Sequence, residues 1–510
     1  MVPAKKRPAR SYFNPTVRHV WLAVPLLLSF ILLCIDPLHE GDLWWHIQIG
    51  EDILLRGQIP AQDSYSFTAT GLPYFSAHSW LSDLGFYVLY KAGGLSALVM
   101  LQALVGTAVI GLLVYESDRR GASARATAMI ILIGWIGLYP FSTSRPQIFS
   151  FLAFTLFGTL LSSYVNRQHN RLYLLPLVML AWVNLHNGWV IGVLQLLVAI
   201  GLVGAKVITN HEAPGRLGPL LLWGATTMIT TWINPSGMGV YKHIITVGSN
   251  AINQQFVSEW QPLTITNSLS WPFFILLAVL IFALAYSRTR PALYELLLVG
   301  IFTGLTLRYL RFLPFSLIIL PPLLAELASH INWRISLPGL NGLLIAKSTQ
   351  NPTALNRILL LILAFVALIS TPMLRLPLIG QTEATLIDPY FPLQATDILI
   401  AQATPGSRVF SLPEWGGFLI WRLYPKVSVF SDGRVELYPL AVWQDYLRII
   451  SASPEGLSLL DRYQINYLVL SKERQSQLAL AVETAGWQRI FEDQISWIFV
   501  RTNNPEEIIK

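Results

Sequence analysis

A carboxylate close behind an apolar run is the strongest candidate for chemistry in this sequence. Asp42 belongs to segment 36–52, which follows the apolar run 20–35 and also contains Trp44 and Trp45. A base that takes a proton from a hydroxyl must be anionic and held on a rigid element. Asp42 stands just before a predicted amphipathic helix and meets both demands. It could equally be the N-cap of that helix.

Two side chains near Asp42 could share its chemistry. His46 lies four residues later, a spacing that brings two side chains to one face of a helix, although it could also be simply interfacial. Glu40 could be a second site carboxylate or could only solvate the end of the apolar run. Both carboxylates offer oxygen ligands, so they are the residues that would bind a divalent ion. Without an Asp-x-Asp pair, we expect no metal and no other cofactor.

Three arginines are candidates for binding an anion. Arg145 precedes Pro146 after an apolar run and could pair with a phosphate through its bidentate guanidinium, or extend to lipid head groups. Arg308 and Arg311 are three residues apart at a predicted helix end, so we expect both to project the same way. Two cations together on a cation-poor side favour an anionic partner.

Two further residues are weaker site candidates. His186 follows Trp182 near the end of an apolar run, where a hydrogen-bonded polar turn would explain it as well as a site. Glu259 precedes Trp260 in a polar connection, and this pair could close over a site or simply anchor a loop. Both segments lie on the same predicted side of the membrane as Asp42.

The composition of the chain indicates which kind of structural element carries these residues. The chain has 510 residues, of which 53% are hydrophobic and 12% charged, with a mean hydropathy of +0.51. About eleven apolar runs are long enough to cross a bilayer, which predicts a polytopic α-helical membrane protein and excludes a soluble globule. The runs are 20–35, 95–115, 125–141, 147–165, 171–185, 188–208, 217–233, 272–287, 292–307, 312–328 and 357–374.

The Lys and Arg bias predicts the orientation of these spans. With the amino terminus in the cytoplasm, cytoplasmic segments hold 17 Lys and Arg residues and the outer connections hold six, namely Arg56, Lys91, Arg145, Lys242, Arg308 and Arg311. The net charge of +7 therefore needs no nucleic acid to explain it. An odd number of spans places the carboxyl-terminal region outside. Cys34 is the lone cysteine, so no intramolecular disulfide forms.

Two regions should lie outside the membrane. The first outer loop, 36–94, is predicted to contain two interfacial amphipathic helices at 42–55 and 78–90. The sequence divides into a membrane domain, 1–374, and an extracytoplasmic α/β domain, 375–510. Predicted strands in that domain are 406–410, 426–430, 465–470 and 495–500, and predicted helices are 391–404, 437–450, 455–463 and 474–486.

This organisation resembles the GT-C superfamily of membrane glycosyltransferases, which use polyprenyl-phosphate-linked sugars. It is most similar to a poorly characterised bacterial family of glycosyltransferase-like integral membrane proteins, and the similarity extends over nearly the whole chain. The motifs that carry it are Gly41-Asp-Leu-Trp-Trp-His46, Gly57-Gln-Ile-Pro60, Asp63-Ser-Tyr-Ser-Phe-Thr68, Arg145-Pro-Gln147, Trp182-Val-Asn-Leu-His186, Asn234-Pro-Ser-Gly237, Glu259-Trp260 and Ser431-Asp-Gly-Arg434.

The resemblance implies an activity and roles for residues. In the superfamily an Asp of the first outer loop is the base, and Asp42 is at the matching position. Basic residues near the outer face hold the donor phosphate, and Arg145, Arg308 and Arg311 match by location. The chain departs from some members because no second acidic residue is adjacent to Asp42; Glu40 precedes it instead, which puts metal dependence in doubt.

The implied function is inverting transfer of a sugar from a polyprenyl-phosphate-linked donor to an extracytoplasmic lipid, glycan or protein acceptor. The implied location is the bacterial inner membrane, with the α/β domain in the periplasm and membrane lipid around the spans. The alternative is a non-enzymatic protein that binds or transports lipid-linked glycans during cell-envelope assembly. Transporters usually show inverted repeats and polar residues at mid-membrane depth, whereas the polar clusters here lie at one face, which favours the transferase.

The predicted topology can be tested with reporter fusions. A reporter fused after Thr404 should be active outside the cytoplasm, and one fused after Asn170 should be active inside, because an odd number of predicted spans separates the amino terminus from Thr404. Paired phosphatase and fluorescent-protein fusions at both positions measure this. The opposite result at either position would contradict the span assignment and the placement of the polar clusters on one face.

Overall fold

The long helices of the membrane part confirm the predicted helical fold class. The computed structural model describes residues 14–74, 76–166, 169–331 and 353–501, and most of the predicted cytoplasmic leader lies outside that part. The helices are α1 (Val17–Ile35), α2 (Gly41–Arg56), α3 (Trp80–Arg119), α4 (Ala124–Leu138), α5 (Gln147–Val165), α6 (Leu175–Leu185), α7 (Trp189–Ile208), α8 (Leu217–Thr230), α9 (Gly239–Ser249), α10 (Ala251–Phe256), α11 (Trp271–Tyr286), α12 (Leu293–Arg308), α13 (Leu313–Ser329) and α14 (Thr353–Ser370).

Each predicted apolar run falls on a helix. Among the described residues, eight helical segments are long and apolar enough to cross a membrane. The three remaining runs fall on the shorter helices α6, α8 and α12, so the number of spans stays a prediction. Helices α6, α8 and α12 are predominantly apolar, as expected where a helix contacts either lipid or other helices around most of its circumference.

The 40-residue helix α3 is divided by a glycine pair. Gly94 has φ +64°, and a side chain there would collide with the carboxylate of Glu383. That carboxylate accepts hydrogen bonds of 3.0 Å from the backbone N–H groups of Leu95 and Ser96. Glu383 therefore caps the second half of the helix and offsets its dipole. The first half is the helix predicted at 78–90.

The carboxyl-terminal α/β domain has a five-stranded sheet in the order β2-β1-β3-β5-β4. Strands β1 to β3 are parallel, whereas β5 pairs antiparallel with β3 and β4. The strands are β1 (Ser407–Ser411), β2 (Val427–Val429), β3 (Tyr467–Ser471), β4 (Trp487–Glu492) and β5 (Ser496–Arg501). The helices are α15 (Pro372–Leu378), α16 (Leu393–Gln402), α17 (Pro413–Leu423), α18 (Leu440–Ile450), α19 (Pro454–Arg462) and α20 (Ser476–Thr484).

All four predicted strands and all four predicted helices of this domain are present, but three elements were not predicted, namely the short helix α15, helix α17 and strand β4. Strand β4 is a largely exposed edge strand with charged residues, so it lacks the apolar run that marks a buried strand. Helix α17 contains Gly416 and Gly417, which weaken its helical pattern. A side chain at Gly417 would collide with the carbonyl oxygen of Gly41, so this glycine permits close packing of α17 on α2.

Helix α2 corrects the prediction of an interfacial helix with a lipid-seeking apolar face. Protein covers that face, because α2 packs between α3 and α17. Trp44 is fully buried, with ring centroids 5.1 Å from Phe418 and 4.7 Å from Trp421. Leu54 and Leu55 near the end of the helix remain exposed. An amphipathic pattern shows that one face is buried but not whether lipid or protein covers it.

The first outer loop also extends the sheet. The backbone N–H of Phe67 donates to the carbonyl of Val429 at 3.1 Å, and Val429 N–H donates to the carbonyl of Tyr65 at 3.1 Å. These bonds cover the open edge of β2, which would otherwise offer unpaired backbone groups. The loop and the α/β domain therefore share one hydrophobic core.

A buried arginine fastens the loop to the domain. Arg434 has an exposed fraction of 1% and forms two hydrogen bonds to Asp432, at 2.8 Å from Nε and 2.5 Å from Nη2. Its third nitrogen, Nη1, lies 2.7 Å from Asp63 of the loop, as an ion pair without hydrogen-bond alignment. Tyr438 donates a further hydrogen bond to Asp432. Burial opposes the charge on Arg434, but Asp432 and Asp63 outweigh it and raise the pKa of the guanidinium.

Removing this cation should destabilise the folded chain. Arg434→Gln leaves Asp63 and Asp432 buried without their counter-charge, which we expect to cost about 3–5 kcal/mol of unfolding free energy. Denaturant unfolding in detergent micelles measures it. The matched control is Arg474→Gln, which breaks a half-exposed pair with Glu414 and should cost about 0–1 kcal/mol. Equal losses in the two variants would contradict this role of Arg434.

Candidate functional site

A cavity of about 350 Å³ lies between the membrane helices and the α/β domain. The first outer loop, four later connections between helices and the segment after β2 all contribute to its walls. The polar and aromatic residues that line it include Asp42, Trp45, His46, His78, Arg145, Gln147, His186, Asn187, His243, Glu259, Trp260, Arg311, Gly433, Arg434 and Glu436. The structure thus brings together six predicted site residues that are distant in sequence: Asp42, His46, Arg145, His186, Glu259 and Arg311.

Asp42 lies inside helix α2 rather than before it. The N-cap is Glu40, whose side chain makes no capping hydrogen bond, so the capping explanation for Asp42 is wrong. Arg145 Nη2 donates to Oδ2 of Asp42 at 2.8 Å, and Trp45 Nε1 donates to Oδ1 at 3.1 Å. Both oxygens are thus oriented by fixed donors, while the carboxylate lines the cavity.

The α/β domain closes directly over this carboxylate. A side chain at Gly433 would collide with Oδ1 of Asp42. Gly433 belongs to the motif 431–434, whose arginine is the buried Arg434 described above. The motif therefore combines an anchor, Arg434, with a glycine that lets the backbone approach Asp42.

Arg145 is surrounded by carboxylates. Besides Asp42 it donates to Glu259 Oε1 at 2.9 Å, and Glu40 Oε1 lies 3.6 Å from Nη1. Burial opposes the charge on Arg145, but Glu40, Glu259 and Asp42 raise the pKa of its guanidinium. Glu40 also accepts a hydrogen bond from Thr143. The guanidinium of Arg145 is therefore paired with acids in this structure. Its expected contact with a phosphate or with lipid head groups stays a prediction.

Two of these acids differ in proton affinity. Burial raises the pKa of Asp42, and Arg145 offsets this only in part. Burial acts in the same direction on Glu259, but Arg145 and Arg311 outweigh it and lower the pKa of that carboxyl. Environments that push two carboxyl pKa values apart assign them different tasks. In this arrangement the charged form of Glu259 is favoured more strongly than that of Asp42.

Arg308 and Arg311 do not project together, which corrects the prediction. Helix α12 ends at Arg308, and Tyr309 is extended with φ −144° and ψ 120°. Arg311 therefore sits in a separate turn, Leu310–Phe312, and the i, i+3 rule of a continuous helix does not apply. Arg311 lines the cavity with its guanidinium 4.3 Å from the Trp260 ring centroid, whereas Arg308 lies outside the lining and is exposed.

Arg311 is a cavity cation that lies within the electrostatic reach of Glu259 but makes no direct ion pair with a described acid. It forms no ion pair with any of the described residues, in contrast to Arg145. Trp260 supports the flat guanidinium from one side. The donor groups of Arg311 are therefore available to an anion that enters the cavity.

Imidazoles line another part of the cavity. His46 Nδ1 lies 2.6 Å from Oδ1 of Asp83, a fully buried residue of α3. His186 Nδ1 lies 2.7 Å from Ser150 Oγ. His78 and His243 stack with ring centroids 5.0 Å apart. We call these four histidines, His46, His78, His186 and His243, the histidine wall.

Comparison with known proteins identifies the fold. No family model and no curated protein matches the sequence. ArnT from Cupriavidus metallidurans, bound to undecaprenyl phosphate, superposes with a TM-score of 0.50 and 16% identity over 95% of this chain and 98% of that one. The Archaeoglobus fulgidus oligosaccharyltransferase gives 0.53 and 13%, over 97% and 75%. The chain has the GT-C fold.

A third structure with a similar fold belongs to a protein that is longer than this chain. A mutant of the mycobacterial arabinofuranosyltransferase AftD gives a TM-score of 0.53 at 15% identity. The alignment covers 97% of this chain but only 42% of AftD. The GT-C fold, together with the eight long apolar segments, makes the chain an integral membrane protein.

Within this GT-C fold, several cavity residues were not predicted. In the sequence, Asp83 is only one polar position of a predicted amphipathic helix, and nothing there indicates that it lies at a site. His78 and His243 are recognisable only as histidines in outer connections. Glu436 lines the cavity without an ion pair to the described residues. Its position two residues after the motif 431–434 is the only feature of the sequence that could have indicated it. No group of three or more His, Cys, Asp or Glu in the described ranges could hold a metal ion.

Proposed function

We propose that the chain is a membrane glycosyltransferase that takes a sugar from a polyprenyl-phosphate-linked donor and transfers it, with inversion, to an extracytoplasmic acceptor. One observation carries the proposal: a single cavity contains both Asp42, a carboxylate of raised pKa, and Arg311, a cation that forms no direct ion pair with a described acid. Sugar transfer needs a base for the acceptor hydroxyl and a cation for the departing phosphate. The fold supports the proposal, because the neighbour ArnT is bound to undecaprenyl phosphate.

The reaction is a single displacement at the anomeric carbon. The acceptor oxygen attacks C1 of the sugar and its proton passes to Asp42. The bond from C1 to the phosphate oxygen breaks, and its electron pair leaves with the polyprenyl phosphate. Arg311 stabilises the negative charge that develops on that phosphate. Attack opposite the leaving group inverts the configuration at C1.

Arg145 and Glu259 prepare the carboxylate for this step. Arg145 fixes the orientation of Asp42, and an aligned base gains rate because little reorganisation is needed. If Arg145 acted on Asp42 alone, the guanidinium would depress its proton affinity. Glu259 takes part of that positive charge, since it lies 2.9 Å from Nη1. The pair therefore holds Asp42 in place without removing its basicity.

Replacing Asp42 tests the proposed base. Asp42→Asn keeps the shape and the Trp45 hydrogen bond but cannot accept the proton, so transfer should fall by about 10²–10⁴-fold. Release of undecaprenyl phosphate from its radiolabelled sugar esters measures transfer, and binding of undecaprenyl phosphate itself should change little. In the wild type, transfer should fall as Asp42 becomes protonated, at a pH above the ordinary aspartate value of 3.8. Near-normal transfer by Asp42→Asn would show that Asp42 is not the base. Absence of transfer by the wild type would favour the non-enzymatic alternative.

The two neighbouring arginines provide a matched pair for the phosphate site. Arg311→Gln should weaken binding of undecaprenyl phosphate by about 10- to 100-fold, because a charged hydrogen-bond donor is lost. Arg311→Lys should lose less, since it keeps the charge without the bidentate geometry. Arg308→Gln, three residues away and outside the cavity lining, should bind normally. Binding to nanodisc-embedded protein by fluorescence titration distinguishes them, and equal losses at both positions would rule out a specific site at Arg311.

A further inference from the structure

Helix α15 connects the membrane part to the α/β domain and exposes an apolar face. It begins two residues after the end of α14, which is long and apolar enough to cross a membrane. Pro372 and Leu376, one helical turn apart, form its buried side. The residues on its other side are apolar, with exposed fractions between 42% and 71%: Met373, Leu374, Leu378 and Ile379. So many exposed apolar side chains in one short helix suit contact with lipid rather than with water.

Arg375 lies at the border between these two faces. The residue is half-buried, and its Nε is buried without a hydrogen-bond partner. Its side chain forms no ion pair and no hydrogen bond with the described residues. The next acid along the chain, Glu383, is already engaged, because its oxygens accept from the backbone N–H groups of Leu95 and Ser96. Since a guanidinium stays protonated in proteins, Arg375 carries a charge that no described acid balances by direct contact.

This cation lies where two candidate membrane spans end. Cys34, in the last turn of α1, is within electrostatic reach of the Arg375 guanidinium. Helix α1 also packs on α14, and both are candidate spans. Toward its end, α14 exposes Leu361, Phe365 and Leu368, whose spacing places them on one side of the helix. A cation beside an apolar helix surface matches the head group and the acyl chains of a phospholipid.

We infer that Arg375 and the exposed face of α15 form a binding site for a membrane phospholipid. The guanidinium holds the lipid phosphate, for which its paired N–H donors have the right geometry. Leu374 and Leu378, one helical turn apart, contact the acyl chains. The site is separate from the candidate cavity, whose lining contains no residue of α15. The bound lipid therefore fixes the start of the α/β domain at the membrane surface, independently of any substrate.

A fluorescent label tests whether the exposed face of α15 lies in lipid. Leu378→Cys places a bimane where the native side chain is 71% exposed, and Leu480→Cys on helix α20, where it is 68% exposed, is the matched control. Cys34 is buried and should not react. With the full chain in nanodiscs, phospholipids brominated near the head group should quench the label at residue 378. Iodide in the water should instead quench the label at residue 480.

The phosphate contact is tested with phosphatidylglycerol added to the full chain in detergent. The melting temperature should rise with lipid concentration, and Arg375→Gln should weaken this binding by about 3- to 10-fold, as expected for one arginine at an anionic lipid surface. Arg375→Lys keeps the charge and should lose less. Without lipid, Arg375→Gln should melt like the wild type, because it loses no described partner. Arg474→Gln, which removes a half-exposed arginine of the α/β domain, should bind phosphatidylglycerol normally.

Several results would overturn the phospholipid site. Iodide quenching at residue 378 as strong as at residue 480 would place α15 in water. Equal affinity of the wild type and Arg375→Gln for phosphatidylglycerol would remove the phosphate contact. An equal rise in melting temperature with inorganic phosphate would show that Arg375 binds a free anion rather than a lipid. Tighter binding of undecaprenyl phosphate than of phosphatidylglycerol at Arg375 would assign this arginine to the donor lipid instead.

Discussion

The buried ion pairs of Arg434 are the constraint on which the contact between the first outer loop and the α/β domain depends. A guanidinium withdrawn from water is tolerated only when carboxylates balance its charge. Here the two carboxylates come from different parts of the chain. Asp432 belongs to the α/β domain and Asp63 to the first outer loop. This requirement fixes the loop on the domain, and so fixes helix α2 and the carboxylate at its start.

The same placement means that the membrane part and the α/β domain form the candidate cavity together. Gly433 brings the α/β backbone against Asp42, while Arg145 and Glu259 reach the carboxylate from connections between membrane helices. The electrostatic character of the site follows from this convergence. The guanidinium of Arg145 is shared among several acids, whereas Arg311 forms no direct ion pair with a described acid. Under the proposed function, this difference separates the proton acceptor from the anion position.

Much of this arrangement could be predicted from local patterns. Apolar runs predicted the long helices, short apolar segments predicted four of the strands, and six of the predicted site residues line one cavity. Contacts between distant segments could not be predicted: amphipathicity does not show that α17 covers Trp44, and no spacing rule pairs His46 with Asp83. Arg308 and Arg311 diverge because Tyr309 is extended, a backbone change that their helical spacing conceals.

The pairing of Asp63 with Arg434 also bears on how the chain is made. Translation proceeds from the amino terminus, and domains generally fold as units during synthesis. Asp63 leaves the ribosome hundreds of residues before Arg434, so the outer loop must wait for its counter-charge while every membrane helix in between is inserted. The cavity is then completed by the last part of the chain, and a truncated or interrupted product has no assembled site.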